Sequence, residues 1–120
     1  MDPSLRWDDS GGCMTAHMTL TLAQLNPVVG DIDGNCRKII ETWAAHRDCD
    51  LLLLPEMFLT GYPPEDLILK PAFLKKTEKA IDEILKQSKN FKSAALIPCP
   101  HHDNGKTFNA AYLIENGKIL

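Results

Sequence analysis

Four consecutive leucines, Leu51 to Leu54, followed at once by Pro55 and Glu56, constrain this chain more than any other stretch. An unbroken apolar run of this kind reads as a strand buried on both faces, the pattern of a central strand in a layered α/β sheet. Proline has no backbone N–H to give to a ladder, so Pro55 ends the strand and turns the chain out of the sheet. Glu56 then stands just past the C-terminal end of a buried parallel strand, where open α/β sheets gather their ligands and their chemistry. It is the first candidate for a reacting group.

The flanking segments fit such a sheet. Thr19 to Gln24 alternates β-branched and apolar residues and predicts a first strand, stopped at Asn26-Pro27. Gly30, Asp31, Asp33, Gly34 and Asn35 supply turn and N-cap residues ahead of a helix. In that helix Cys36, Ile39, Ile40, Trp43 and Ala44 share one face, with Arg37, Lys38, Glu41 and Thr42 on the other, so Trp43 reads as core. Strand, helix and leucine strand form a βαβ unit, whose crossover is right-handed in nearly all cases.

A connection carrying Gly61, Pro63, Pro64 and Pro71 follows, stiff but irregular, which suits a wall of a binding site. Glu65 and Asp66 within it read as first-turn carboxylates that favour a helix N-terminus. Phe73, Leu74, Thr77, Ala80, Ile81, Ile84, Leu85 and Ser88 then predict a second amphipathic helix with a solvated, charged outer face. Ser93 to Ile97, ended by Pro98, predicts a third strand, and His101 to Gly105 a turn. Thr107 to Ile114 alternates as a strand, with Asn109 as a structural strand residue, and Glu115-Asn116-Gly117-Lys118 is a hairpin turn. Ile119 and Leu120 open a strand that the sequence does not finish, so a truncated piece of a longer chain is expected.

Met1 to His17 is polar and glycine-bearing, without a periodic apolar face. It is expected to be a disordered extension or tag, with the folded unit running from Met18 to Leu120. The 13 basic and 16 acidic residues leave a net charge of -3, too small and mixed for electrostatic capture of nucleic acid or an anionic membrane. No apolar run approaches the ~20 residues that cross a bilayer, and the N-terminus lacks a signal-peptide apolar region. A cytoplasmic protein without nucleic-acid or membrane partners is expected. The four cysteines, Cys13, Cys36, Cys49 and Cys99, show no CxxC spacing and read as reduced thiols. Cys99, His101 and His102 lie close in sequence but lack a second ligand cluster, so they read as an exposed turn and no metal site is expected.

Three groups of residues carry a resemblance. They are Ala23-Gln24-Leu25-Asn26-Pro27 with Val29-Gly30-Asp31; Leu54-Pro55-Glu56 with Leu59-Thr60-Gly61-Tyr62-Pro63-Pro64-Glu65-Asp66-Leu67; and Phe108-Asn109-Ala110-Ala111 ahead of Asn116-Gly117-Lys118. Together they resemble the nitrilase, or carbon-nitrogen hydrolase, superfamily. The Pro-Pro-Glu-Asp-Leu run narrows the resemblance to the N-terminal glutamine-hydrolysing domains of glutamine-dependent NAD synthetases.

The resemblance implies an α/β fold, the first part of an α-β-β-α sandwich, and a cysteine amidase with a Glu-Lys-Cys triad. Only the glutamate of that triad matches a position here, Glu56. The lysine is expected a few residues past Leu120 and the cysteine farther on. Lys118 lies in the turn itself, and none of the four cysteines aligns with the nucleophile. Tyr62 matches a tyrosine that helps shape the family's substrate pocket, although its amphipathic ring suits plain packing equally.

By motif alone, a Pro-Glu after a strand fits a loop or helix-start carboxylate as readily as a catalytic one. The resemblance gives Glu56 the role of base. Amide hydrolysis by cysteine needs a thiolate, because the thiol is a poor nucleophile near neutral pH. Glu56 would take the thiol proton, and would do so better if enclosed by Met57 and Phe58. The lysine would stabilise the oxyanion, glutamine would give a thioester and ammonia, and water would release glutamate.

By resemblance, the ammonia passes to a C-terminal synthetase domain of the same chain, which amidates an adenylated deamido-NAD intermediate using ATP and magnesium. No cofactor is expected in the present residues, and a homo-oligomer is expected at full length. These 120 residues alone would be inert. Two alternatives stay open: a stand-alone amidase of the same superfamily acting on a small carboxamide, and a non-catalytic truncated product. An uncovered apolar sheet face is expected to make the piece associate when expressed alone.

Overall fold

The structure, a computed structural model, describes residues 5–7 and 13–120. Strands β1 (Leu5–Trp7) and β2 (Cys13–Thr15) pair antiparallel with each other, separate from the main sheet. The expected disordered extension over residues 1–17 falls in part outside the described residues, and this short ladder lies within the part that is described.

The main sheet has five strands in the order β3 (Leu20–Leu22), β4 (Leu51–Leu53), β5 (Ala94–Asp103), β6 (Lys106–Glu115) and β7 (Lys118–Ile119). The first three run parallel, in register Leu20↔Leu51 and Leu51↔Ala94. Helix α1 (Ile32–Ala45) crosses from β3 to β4, and α2 (Pro71–Ser88) from β4 to β5. Both crossovers step the same way across the sheet, and with a shared hand they put both helices on one face. The core is the interface so formed. Ile32, Ile39, Trp43, Ile81 and Ile84 pack there on Leu52, Ala95, Ile97, Cys99 and Ile114. Trp43 is fully buried, and its indole N–H donates to Ser93 Oγ at 2.7 Å, the partner a buried Trp needs.

The leucine strand is flanked by strands on both edges but is not equally covered on its two faces. Leu52 is fully buried on the helix side, whereas Leu51 and Leu53 are half-buried. On the same open face Leu20 is 49% and Leu22 67% exposed. The expectation of burial on both faces is thus corrected. A run of like leucines cannot record which face a helix covers, because side-chain alternation leaves no trace in it.

Helix α1 starts earlier than its apolar stripe suggests. Asp31 is the N-cap, its carboxylate accepting from Gly34 N–H at 3.0 Å, so Asp33, Gly34 and Asn35 form the first turn rather than a preceding loop. Helix α2 likewise starts at Pro71, a residue suited to a first helical position. Glu65 and Asp66 open a short 3-10 helix, Glu65–Leu69, within the proline-rich connection.

Strand β5 continues through Pro98 and Pro100 instead of stopping at the first of them. The Pro98 carbonyl accepts from Leu59 N–H at 3.3 Å, so this residue's backbone faces away from β6. Pro100, two residues on, points the same way. An absent N–H costs the β5–β6 ladder nothing there. His101 to Asp103 therefore remain in the strand, and the turn shrinks to Asn104-Gly105, with φ of 48° and 75°. That pair is the favoured two-residue hairpin signal, as is Asn116-Gly117 farther on. The second hairpin docks on the end of α2, where Gly117 N–H donates to Ser88 Oγ at 2.7 Å. No helix among the described residues is long and apolar enough to cross a membrane.

Candidate active site

Two loops leave the carboxyl ends of β3 and β4, and the interior of the protein ties them together. Asn35, fully buried in the first turn of α1, accepts from Val28 N–H at 2.9 Å. Its amide donates to Val28 C=O at 2.8 Å and to Leu59 C=O at 3.1 Å. Gly30 N–H donates to Thr60 C=O at 2.9 Å. The approach is so close that a Cβ on Gly61, whose φ is +80°, would lie 2.5 Å from Val29 Cα. Only glycine satisfies both the left-handed backbone and that contact.

Glu56 sits where this tied pair of loops opens. It is exposed, while Met57 and Phe58 turn into the core beneath it, so the expected enclosure of its carboxylate by those two side chains is corrected. A buried strand end sends consecutive residues in different directions, and here the apolar pair anchors the turn that presents the carboxylate. Glu56 Oε1 accepts from Asn109 Nδ2 at 2.5 Å. A cleft of about 370 Å³ adjoins it, lined by Gln24, Leu25, Asn26, Pro27, Pro55 and Tyr62. Tyr62 is 61% exposed along that cleft. Lys38 Nζ donates to Asn26 C=O at 2.9 Å and straps the β3 side of the cleft to α1. A volume of this size accommodates a small organic ligand.

Cys36 and Cys99 lie elsewhere. Cys99 shares the helix face of the sheet with its cross-strand partner Ala110, opposite the face that carries Asn109. Burial pushes its thiol up to about 12. Cys36 lines a larger hollow of about 840 Å³ between α1 and α2, whose lining does not include Glu56. Burial, and then the carboxylates of Glu83 and Asp33, push its thiol up to about 11. A thiol with that value is about one part in a thousand thiolate at pH 8, and the thiolate is the reactive form. Iodoacetamide at pH 8 is therefore expected to leave Cys36 and Cys99 unmodified in the folded protein and to alkylate both in urea. Mass spectrometry reads this directly, and rapid native labelling of either would contradict it.

His101 and His102 do not form the expected loop. Across the hairpin, His101 Nδ1 bonds the Tyr112 hydroxyl, and His102 Nδ1 bonds Thr107 Oγ1 at 3.0 Å. Among the described residues, no three His, Cys, Asp or Glu side chains gather as a cation site.

Asn109 is the residue whose part in the site the sequence pattern did not reveal. Its alternation with Phe108 and Ala110 puts it on the open face of β6, and that pattern is visible in the sequence. Its partner 53 positions away is not. A polar amide among the small and apolar residues of Phe108-Asn109-Ala110-Ala111 was the available signal.

Residues 19–120 match the Carbon-nitrogen hydrolase family. A glutamine-dependent NAD(+) synthetase of Thermotoga maritima is 41% identical over 105 residues, covering 86% of this chain and 18% of that protein. The structure of a glutamine-dependent NAD+ synthetase from Acinetobacter baumannii superimposes with a TM-score of 0.73 at 33% identity, covering 86% of this chain and 20% of the other. An amidase from Nesterenkonia sp. shares the fold, with a TM-score of 0.73 at 23% identity over 87% of this chain and 41% of the amidase. The chain spans about a fifth of the length of the curated relatives it matches.

Proposed function

The chain belongs to the carbon-nitrogen hydrolase family, and we propose that it forms the N-terminal part of a glutamine-hydrolysing domain in which Glu56 is the general base and Tyr62 lines the substrate site. The observation that carries this reading is the exposed Glu56 carboxylate, hydrogen-bonded to Asn109 beside an open cleft. Identity to proteins named glutamine-dependent NAD(+) synthetases supports glutamine as the amide.

In the proposed reaction Glu56 takes the proton of a cysteine thiol supplied by the longer protein. The thiolate attacks the amide carbon of glutamine, and a lysine, also supplied from outside these residues, stabilises the resulting oxyanion. The C–N bond breaks as Glu56 returns the proton to the leaving nitrogen, which departs as ammonia. Water then attacks the thioester, giving up a proton to Glu56. Glutamate leaves, and the proton returns to the thiol. Ammonia is consumed by a synthetase domain of the same chain, which amidates deamido-NAD. ATP and magnesium belong to that domain on this reading, and no residue of this chain is proposed to hold them. A cytoplasmic homo-oligomer is the proposed full-length form.

The test supplies the full-length protein with deamido-NAD, ATP and magnesium, and with either glutamine or ammonium. NAD is expected from both nitrogen sources, with one glutamate released per glutamine consumed. The 120-residue chain alone is expected to release no glutamate above a protein-free blank. Failure to form NAD from either source would turn the reading toward a stand-alone amidase. Glutamate release by the short chain would overturn the assignment of nucleophile and lysine to residues outside it.

A further inference from the structure

Glu56 presents a problem that its exposure creates. A glutamate side chain has three rotatable bonds, and holding it in a single orientation costs rotamer entropy. An exposed base that samples many orientations spends little time facing the proton it must take, and reacting groups need alignment to within a fraction of an ångström. Met57 and Phe58 fix the backbone of the turn by burial, but they leave the carboxylate itself free. The partner that meets the carboxylate is Asn109, from a strand 53 residues later.

The chemistry of the contact fixes its direction. An ionised carboxylate only accepts hydrogen bonds, so the asparagine must present its NH₂ group. Asn109 holds Glu56 by Oε1, and among the described residues nothing hydrogen-bonds Oε2. Asn109 is exposed, but its backbone is held in the sheet. It has two side-chain torsions, and its strand pairs with β5 in a continuous register from Ala95↔Ile114 to Asp103↔Lys106. A hydrogen bond to a charged group is among the stronger kinds that side chains make.

We infer that Asn109 is the positioning residue of the site: by donating to Oε1 it orients the Glu56 carboxylate and reserves Oε2 as the atom that takes and returns the proton. The inference rests on the reading of Glu56 as the base. Asn109 has no acid–base role of its own, because an amide does not titrate in this range. It acts only through Glu56.

The experiment compares Asn109→Leu and Asn109→Asp in the full-length protein, measuring kcat and KM for glutamine alongside ammonia-dependent synthesis. Loss of the donor is expected to lower kcat for glutamine by roughly 10- to 100-fold, with KM within about twofold of wild type, because Asn109 orients the base rather than the substrate. Ammonia-dependent synthesis is expected to persist in both variants.

The order of the two variants separates positioning from packing. Asn109→Asp keeps the shape of the side chain but sets a second negative charge against Glu56, so it should be the more damaging of the two. A packing role would make the isosteric Asn109→Asp the milder change. Wild-type kcat in Asn109→Leu, a milder Asn109→Asp, or equal loss of glutamine- and ammonia-dependent synthesis would each overturn the inference. Glu56→Gln measured in the same series keeps the two readings distinguishable. If it retains glutamine turnover, the base assignment fails. If it is inactive while Asn109→Leu is normal, the positioning role alone fails.

Discussion

Glu56→Gln in the full-length protein is expected to lower glutamine-dependent NAD synthesis by about 10²- to 10⁴-fold while ammonia-dependent synthesis continues. The substitution isolates basicity from shape. The amide oxygen of the substituted side chain can still accept from Asn109, and its NH₂ takes the place of the second carboxylate oxygen, so the turn above Met57 and Phe58 has no reason to rearrange. What disappears is an atom able to take a proton. Ammonia supplied from solution bypasses that step, which makes the second activity an internal control for folding. Normal glutamine-dependent rates in this variant would sink the assignment of Glu56 as base.

The second large effect is on stability, at a residue far from any proton transfer. Asn35→Leu keeps the approximate volume of the side chain but strands Val28 N–H and Leu59 C=O, and leaves Val28 C=O with only its bond from Asp31 N–H at 3.1 Å. Leaving a buried polar group unpaired costs about 1–3 kcal/mol; Leu59 C=O bears that cost in full, whereas Val28 N–H, on a residue 53% exposed, recovers part of it from water. A loss of about 2–4 kcal/mol is expected, a large share of the ~5–15 kcal/mol that holds a typical domain. Urea unfolding followed through the emission of buried Trp43 should show a midpoint lower by about 1 M or more. A shift below about 0.3 M would mean that the two loops are held together by something other than Asn35.

Both effects turn on residues whose importance the sequence displayed unequally. Glu56 is legible because a buried strand, a proline and a carboxylate stand in direct succession, and where open sheets place their chemistry is a matter of topology. Tyr62 became a candidate through the residues around it, and the structure puts it on the same cleft. Asn35 looked like one turn residue among several. Its three hydrogen bonds join segments that approach only once α1 has packed. Asn109 looked like an ordinary strand residue, because a hydrogen bond between two side chains 53 residues apart leaves no local pattern.

The strands and helices divide in the same way. The periodic stripe of α2, from Phe73 to Ser88, and the Asn116-Gly117 turn are local features, and the sequence located them correctly. Pro98 misled because proline was weighed without knowing which side of the strand needs its N–H; only the arrangement of β4, β5 and β6 decides that.

By itself, then, the sequence determined the order of strands and helices, the βαβ start and the delivery of Glu56 to the end of a buried strand. Each follows from interactions over a few residues, or from burial patterns of fixed period. Tertiary structure alone decided which face of the leucine strand is covered, that Asn35 ties the two loops, and that Asn109 meets the Glu56 carboxylate. These depend on contacts between distant segments, and such contacts exist only after the chain has bent those segments together.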